Sequence, residues 1–296
     1  MTPYTGVRSV AVVGVGLIGG SFALAVRRHG LAERILGVSS QRTLAAALER
    51  GVIDEGLPLE QAVPQADLVY LAHPISRILD DLPRVAELAR PDALVTDAGS
   101  TKTAIVARAA QCFTAGRALF LGGHPMAGKA ERGVEVAEAD LFRGYRYVLT
   151  PPEGLLPPDE RVRRFGQWLE TLGATVLLRS PKEHDRIVAW TSHLPQMLST
   201  TLASLLMEQF PDSDDLRISA NGLRDMTRLA ASAPELWRDI ALTNTAHVDR
   251  ALSACIQKLE HLRENLRQPA LREEFEQAAR LLARLPKPPR DPADSG

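Results

Sequence analysis

Val10-Ala11-Val12-Val13-Gly14-Val15-Gly16-Leu17-Ile18-Gly19 opens the chain with a continuous apolar run that passes into three spaced glycines. An unbroken apolar run suits a strand covered on both faces. The segment from Ser21 to His29 then has helical spacing. Between a buried strand and a helix, each glycine has its own task. Gly14 admits the tight turn, Gly16 lets a pyrophosphate approach the backbone, and Gly19 permits close contact between helix and strand. The helix N-terminus presents unpaired N–H groups to the phosphates. The stretch predicts a dinucleotide site built on Gly14, Gly16, Leu17, Ile18 and Gly19.

The pattern repeats outward from there. Short apolar runs SVAVVG, RILGVS, DLVYLA, ALVTDAG and ALFLGG alternate with Ala/Leu/Arg-rich segments of helical spacing, such as Thr43 to Arg50. Such alternation indicates a parallel sheet wound with helices. YRYVLTP and ATVLLRS read as two further strands flanking a helix from about Asp159 to Leu172. The texture changes at Ser180-Pro181-Lys182-Glu183, which fits a capping box with proline at the first helical position. No convincing strand follows. Leu252, Ile256, Leu259, Leu262 and Leu266 recur along one helical face, compatible with a dimer surface and equally with an intrachain core. The expected class is α/β: a Rossmann-type, mostly parallel sheet over residues 1–180, an all-helical domain over 181–286, and a Pro-rich disordered tail over 287–296.

Composition narrows the function classes. At 296 residues the chain is about twice the usual domain size. It is 45% apolar and 24% charged, which excludes a disordered or fibrous chain. Lys plus Arg is 35 against 36 for Asp plus Glu, so there is no bulk attraction to nucleic acid or to a membrane surface. Cys112 and Cys255 are too few for a disulfide framework or a Cys-rich metal site, and no metal is expected. The N-terminal residues lack the basic and long apolar regions of a secretory signal, and the apolar runs are too short to span a bilayer. The expected location is cytoplasmic.

The second strand ends in Gly37-Val38-Ser39-Ser40-Gln41-Arg42, with no acid to hold a ribose 2′-hydroxyl. Small hydroxyls followed by arginine suit a 2′-phosphate, which points to NADP, with NAD as the other candidate. Arg42 as a solvated helix-start residue remains the alternative. Pro74 and Asp97, at the ends of two further strands, are the remaining candidates for cofactor contact. His124, in Gly122-Gly123-His124-Pro125-Met126-Ala127-Gly128, follows an apolar strand and so sits on the crevice where such folds bind ligands. Its imidazole is suited to proton exchange near neutral pH. Ser100 is placed to hydrogen-bond a substrate hydroxyl or to cap the following helix. Asp225, Arg228 and Ser232 are spaced to share one helical face, which offers an aspartate-held arginine clamp for a carboxylate, with a plain surface ion pair as the alternative. His193 precedes Pro195, where a kink should open a gap. His184, nine residues earlier and half a turn out of phase, is expected to be the more exposed of the two histidines.

With these residues placed, the chain resembles the prephenate/arogenate dehydrogenase family of tyrosine biosynthesis, and within it is most like the NADP-using arogenate dehydrogenases of cyanobacterial type. The matching stretches are VVGVGLIGGS, DAGSTKT, GGHPMAGKAERGVEVAEADLF, YVLTP, EHDRIVAWTSHLPQ and GLRDMTRLAASAPELWRDI, spanning residues from about 8 to 285. The resemblance implies oxidative decarboxylation of prephenate or arogenate, with hydride transfer from the ring carbon bearing the 4-hydroxyl to NAD(P). It assigns His124 and Ser100 to catalysis. It assigns His193, Arg228, Asp225 and Trp237 to the substrate, and the helical half to substrate binding and homodimerisation. Some prephenate-specific members carry an acid two positions after the glycine of HPMAG, where this chain has Ala130 and then Glu131. A gating or tyrosine-sensing role for that acid is therefore not carried over. The alternatives are a β-hydroxyacid-type dehydrogenase, which typically uses a lysine in the helical half, and a non-catalytic dinucleotide-sensing module.

Overall fold

The computed structural model describes residues 7–114, 117–129, 131–151, 159–211 and 214–285; Ala130 and the 287–296 tail lie outside these. Two compact units emerge. One runs to Ile187 and takes in Ala231–Asn244, and the other comprises Val188–Ala230 and the chain from Thr245.

In the first unit the apolar runs become β1 (Ser9–Val13), β2 (Arg34–Val38), β4 (Leu68–Leu71), β5 (Leu94–Asp97) and β6 (Leu119–Pro125). The short strand β3 (Glu55–Gly56) pairs with β2, and β7 (Arg146–Thr150) and β8 (Thr175–Leu178) complete one sheet among the described residues. The lateral order is β3-β2-β1-β4-β5-β6-β7-β8. Strands β1 to β6 run parallel; β7 lies antiparallel to β6, and β8 runs parallel to β7. The order reverses between β1 and β4, and the crevice beyond their carboxyl ends is where such a sheet takes a ligand. Strands β1, β4 and β5 are buried along their whole length, which is why they read as unbroken apolar runs.

Both faces of the sheet are covered. Phe22, in the helix Leu17–Arg28, stacks on Tyr70 of β4 with ring centroids 3.9 Å apart, and Phe165 and Trp168 extend that layer. On the other face Ile75, Ile78, Leu82 and Val85 of the helix Ile75–Leu88 pack on Ala11, Val69 and Val95. The helix Pro234–Thr243, far along the sequence, joins this layer through Ile240. Asp239 accepts the Ser76 N–H at 2.9 Å, and Asn244 Nδ2 donates to the Asp185 carbonyl at 2.9 Å. Thr101 and Thr243 share a hydroxyl hydrogen bond of 2.8 Å. The sheet unit thus reclaims a helix from the part of the chain that reads as purely helical.

The capping box at Ser180 forms: the Ser180 N–H donates to Glu183 at 3.1 Å, and the Glu183 N–H donates to Ser180 Oγ at 3.3 Å. The second unit begins with a π-helical turn, Ala189–His193, that runs into the helix Leu194–Gln209. Pro195 lies in the first turn of that helix and donates no N–H, so the expected kink takes the form of a widened turn ending on His193. The helices Asn221–Thr227, Thr245–Glu264 and Ala270–Leu282 follow. Among the described residues no strand follows β8, and no helix is long and apolar enough to cross a membrane.

Replacing Phe22 by alanine removes a fully buried ring from the stack against Tyr70. Equilibrium denaturation should show a loss of about 3–5 kcal/mol.

Candidate active site

The crevice between β1 and β4 holds a cleft of about 400 Å³ whose walls all belong to the first unit. Gly16, Leu17 and Ile18 form one side, Pro74 another, and Ser100 and His124 meet there from the ends of β5 and β6. Its size falls in the range of small-molecule sites.

The three glycines differ in what demands them. Gly14 has φ +96°, and a Cβ there would lie 2.7 Å from the Ala72 carbonyl group. At Gly19 a Cβ would stand 2.1 Å from the Gly14 carbonyl oxygen. Gly16 is different: among the described residues, none beyond its own chain neighbours and helix comes within 4 Å of a Cβ built on it. Packing within the chain therefore does not require glycine at 16, whereas a pyrophosphate drawn up to the backbone does. Gly16 also caps the helix Leu17–Arg28 without a side-chain hydrogen bond, so the helix end offers its N–H groups to an anion. These residues fit a dinucleotide.

At the end of β2, Ser40 caps the helix Gln41–Glu49, its Oγ accepting the Thr43 N–H at 3.3 Å. Ser39 is half-buried beside it, and Arg42 is exposed. Asp97, expected at the cofactor, is instead enclosed by protein. It is fully buried, accepts the Gly99 N–H at 2.8 Å and the Gly123 N–H at 3.0 Å, and pairs with the buried ammonium of Lys102. A carboxylate so enclosed, with both oxygens engaged by protein donors and none of its surface exposed, braces the loops and is not presented to a ribose. Lys102 Nζ also donates to the Gly123 carbonyl at 2.7 Å. Burial pulls the Lys102 ammonium below the ordinary lysine range, while Asp97 draws it back up.

His124 is half-buried, and its Nδ1 lies 2.9 Å from Nε2 of His184. His184 Nδ1 in turn is 2.8 Å from Asp185 Oδ1. Asp185 accepts the Lys102 N–H at 2.7 Å and the Thr103 N–H at 2.8 Å, and so is tied to the same loop that carries Ser100. Burial raises the Asp185 carboxyl, but its hydrogen bonds outweigh this and hold it below the usual carboxylate range. This corrects the expectation of an exposed His184, which is 2% exposed. The phase argument assumed one regular helix through both histidines, and the π-helical turn at Ala189–His193 breaks that regularity.

Further corrections concern the remaining candidates. His193, Asp225 and Arg228 belong to the second unit, whereas Ser232 belongs to the first. The helix carrying Asp225 ends at Thr227, and Arg228 opens a tighter turn, Arg228–Ala231, so the regular helical face expected to run from Asp225 to Ser232 is interrupted. Asp225 and Arg228 are both exposed and form no ion pair with each other; an exposed pair gains too little to hold two long side chains together. Trp237 packs on the hydrophobic layer of the first unit, while Ser232, Ala233 and Leu236 beside it line the cleft. Sequence reading missed Lys102 and Asp185, although the DAGSTK and EHD stretches contain them.

Comparison with known proteins then adds two family models. One, described as prephenate dehydrogenase, nucleotide-binding domain, matches residues 22–178. The other, described as prephenate dehydrogenase, dimerization domain, matches residues 180–283. The prephenate dehydrogenase of Bacillus subtilis (strain 168) is 35% identical over 263 residues, which is 86% of this chain and 69% of that protein. A crystal structure of prephenate dehydrogenase from A. aeolicus, in complex with hydroxyphenyl propionate and NAD+, superposes with a TM-score of 0.81. It has 32% identity and covers 94% of this chain and 96% of that one. The Synechocystis arogenate dehydrogenase structure gives a TM-score of 0.76 at 36% identity, covering 92% and 98% of the two chains.

Two glycine variants separate ligand demand from packing demand. Gly16→Ala should retain native thermal stability yet bind dinucleotide about tenfold or more weakly by fluorescence titration. Gly19→Ala should instead destabilise the fold by about 1–3 kcal/mol or more.

Proposed function

The chain belongs to the prephenate dehydrogenase family, and from that premise we propose residue roles, a cofactor preference and an assembly for it. The reaction is the oxidative decarboxylation of prephenate or arogenate, linked to a nicotinamide dinucleotide. The observation that carries the residue reading is the meeting of His124 and Ser100 in the cleft opposite the glycine turn.

His124 accepts the proton of the ring 4-hydroxyl as the carbon beneath it is oxidised. Ser100 hydrogen-bonds the same hydroxyl and orients it. Gly14, Gly16, Leu17, Ile18 and Gly19 hold the dinucleotide backbone, with Pro74 across the cleft. When bound, the dinucleotide supplies the hydride acceptor. His193 and Arg228 engage the substrate, the Arg228 guanidinium donating to the carboxylate of the substrate's side chain, a group that prephenate and arogenate share. Loss of the ring carboxylate as carbon dioxide is driven by aromatisation, so the protein's task is orientation and proton acceptance.

NADP is the preferred cofactor. Ser39, Ser40 and Arg42 offer hydroxyls and an exposed guanidinium where a ribose-binding acid would repel a 2′-phosphate. The assembly is a homodimer through the second unit. Ile256 and Leu259 of the apolar stripe are 56% and 55% exposed, and Phe275 on the next helix is 71% exposed, an apolar surface that favours a partner of like character.

Kinetics with prephenate and arogenate, each with NAD and NADP, test these assignments. His124→Asn should lower kcat by about 100- to 10,000-fold. Arg42→Ala should raise KM for NADP by about 10- to 100-fold and leave that for NAD nearly unchanged. Undiminished turnover in His124→Asn would remove His124 from the chemistry, and a kcat/KM favouring NAD would overturn the reading of Ser39, Ser40 and Arg42.

A further inference from the structure

We propose that His184 and Asp185 set the tautomer of His124, so that its ring meets the substrate hydroxyl with Nδ1 protonated and Nε2 as the acceptor. This rests on the role of His124 given above and supplies its positioning residues.

The Asp185 carboxylate sets the direction of the hydrogen bonds. Asp185 Oδ1 faces the Lys102 N–H at 2.7 Å and His184 Nδ1 at 2.8 Å, and Oδ2 faces the Thr103 N–H at 2.8 Å. Two backbone donors cannot be reversed, so this oxygen pair acts as an acceptor only. His184 Nδ1 must then carry a hydrogen. In the neutral ring the other nitrogen, Nε2, holds a lone pair, and it lies 2.9 Å from His124 Nδ1. A hydrogen bond of that length needs one hydrogen, which His124 Nδ1 supplies. The remaining nitrogen of His124, Nε2, is left as the acceptor that a base for a hydroxyl proton requires.

The chain of bonds is enclosed. His184 is 2% and Asp185 1% exposed, and the Asp185 carbonyl is held by Asn244 Nδ2 at 2.9 Å. Little water reaches the pair to reorient it, so the direction of the hydrogen bonds persists between turnovers. As the substrate proton moves to His124 Nε2, the hydrogen bond from Nδ1 to His184 strengthens and spreads the new charge. No further proton is gained or lost by the relay.

Long-range 1H–15N correlation on uniformly labelled protein, recorded over a pH series, separates the charged ring from the two neutral tautomers and reads the tautomers directly. His124→Asn and His184→Gln assign the two rings. The expected result is the Nδ1–H form for both. Asp185→Asn removes the charge and one of the two acceptor oxygens, weakening the hold on the His184 Nδ1–H; it should move His124 toward the Nε2–H form and lower kcat about a hundredfold or more, with KM changed by less than about twofold. An Nε2–H tautomer at His124 in the wild-type protein overturns the proposal, because His184 would then be the donor between the rings. So does Asp185→Asn with native kcat. If Asp185→Asn fails to fold, the wild-type tautomers decide alone. Retained turnover in His124→Asn beside the expected tautomers would instead overturn the catalytic reading of His124.

Discussion

The buried pairing of Asp97 with Lys102 is the constraint on which the site depends. Both side chains are fully buried, and neither could stay charged there alone. Asp97 gathers the Gly99 and Gly123 N–H groups, and Lys102 reaches back to the Gly123 carbonyl. One residue at the end of β5 thus fixes the loop bearing Ser100 and the strand end bearing His124. Through its own N–H, Lys102 also ties Asp185, and hence His184, to the same point. Four elements converge on one ion pair, and Ser100 and His124, which line the cleft, stand at its edge.

Around that centre the sheet supplies direction. Its order reverses between β1 and β4, leaving a crevice that no helix crosses on its way to the next strand. The glycine turn occupies one lip, and the open space at Gly16 shows where the chain withholds a side chain in favour of a ligand. The helix Pro234–Thr243, anchored through Asp239 and Asn244, closes the side near Ser232 and Ala233. The residues that line the cleft are thereby built on strand ends rather than on long loops, which limits their drift.

Much of this was legible in the sequence because it is encoded locally. The steric needs of Gly14 and Gly19 act on neighbours a few residues away. The Ser180 box is a four-residue device, and the apolar runs announced their strands. His124 and Ser100 were legible as strand-end residues, and the family resemblance agreed. What escaped depends on distant or irregular geometry. The phase of His184 was computed on a regular helix that a π-helical turn interrupts. Asp225, Arg228 and Ser232 looked like one face until the helix stopped at Thr227. Asp97 read as a cofactor ligand because its partner Lys102 is recognisable only once the loop between them has folded back. The return of Pro234–Thr243 to the sheet unit leaves no mark in composition at all.

Native-state hydrogen exchange at the Gly99 and Gly123 amides tests most directly whether the Asp97–Lys102 pair organises the site. Both N–H groups are held by the Asp97 carboxylate rather than by the regular ladder of the sheet. If the pair is the organising element, both amides exchange only through global unfolding, as slowly as the amides of β1. Exchange of either at the rate of a freely opening loop, while β1 remains protected, would contradict the account.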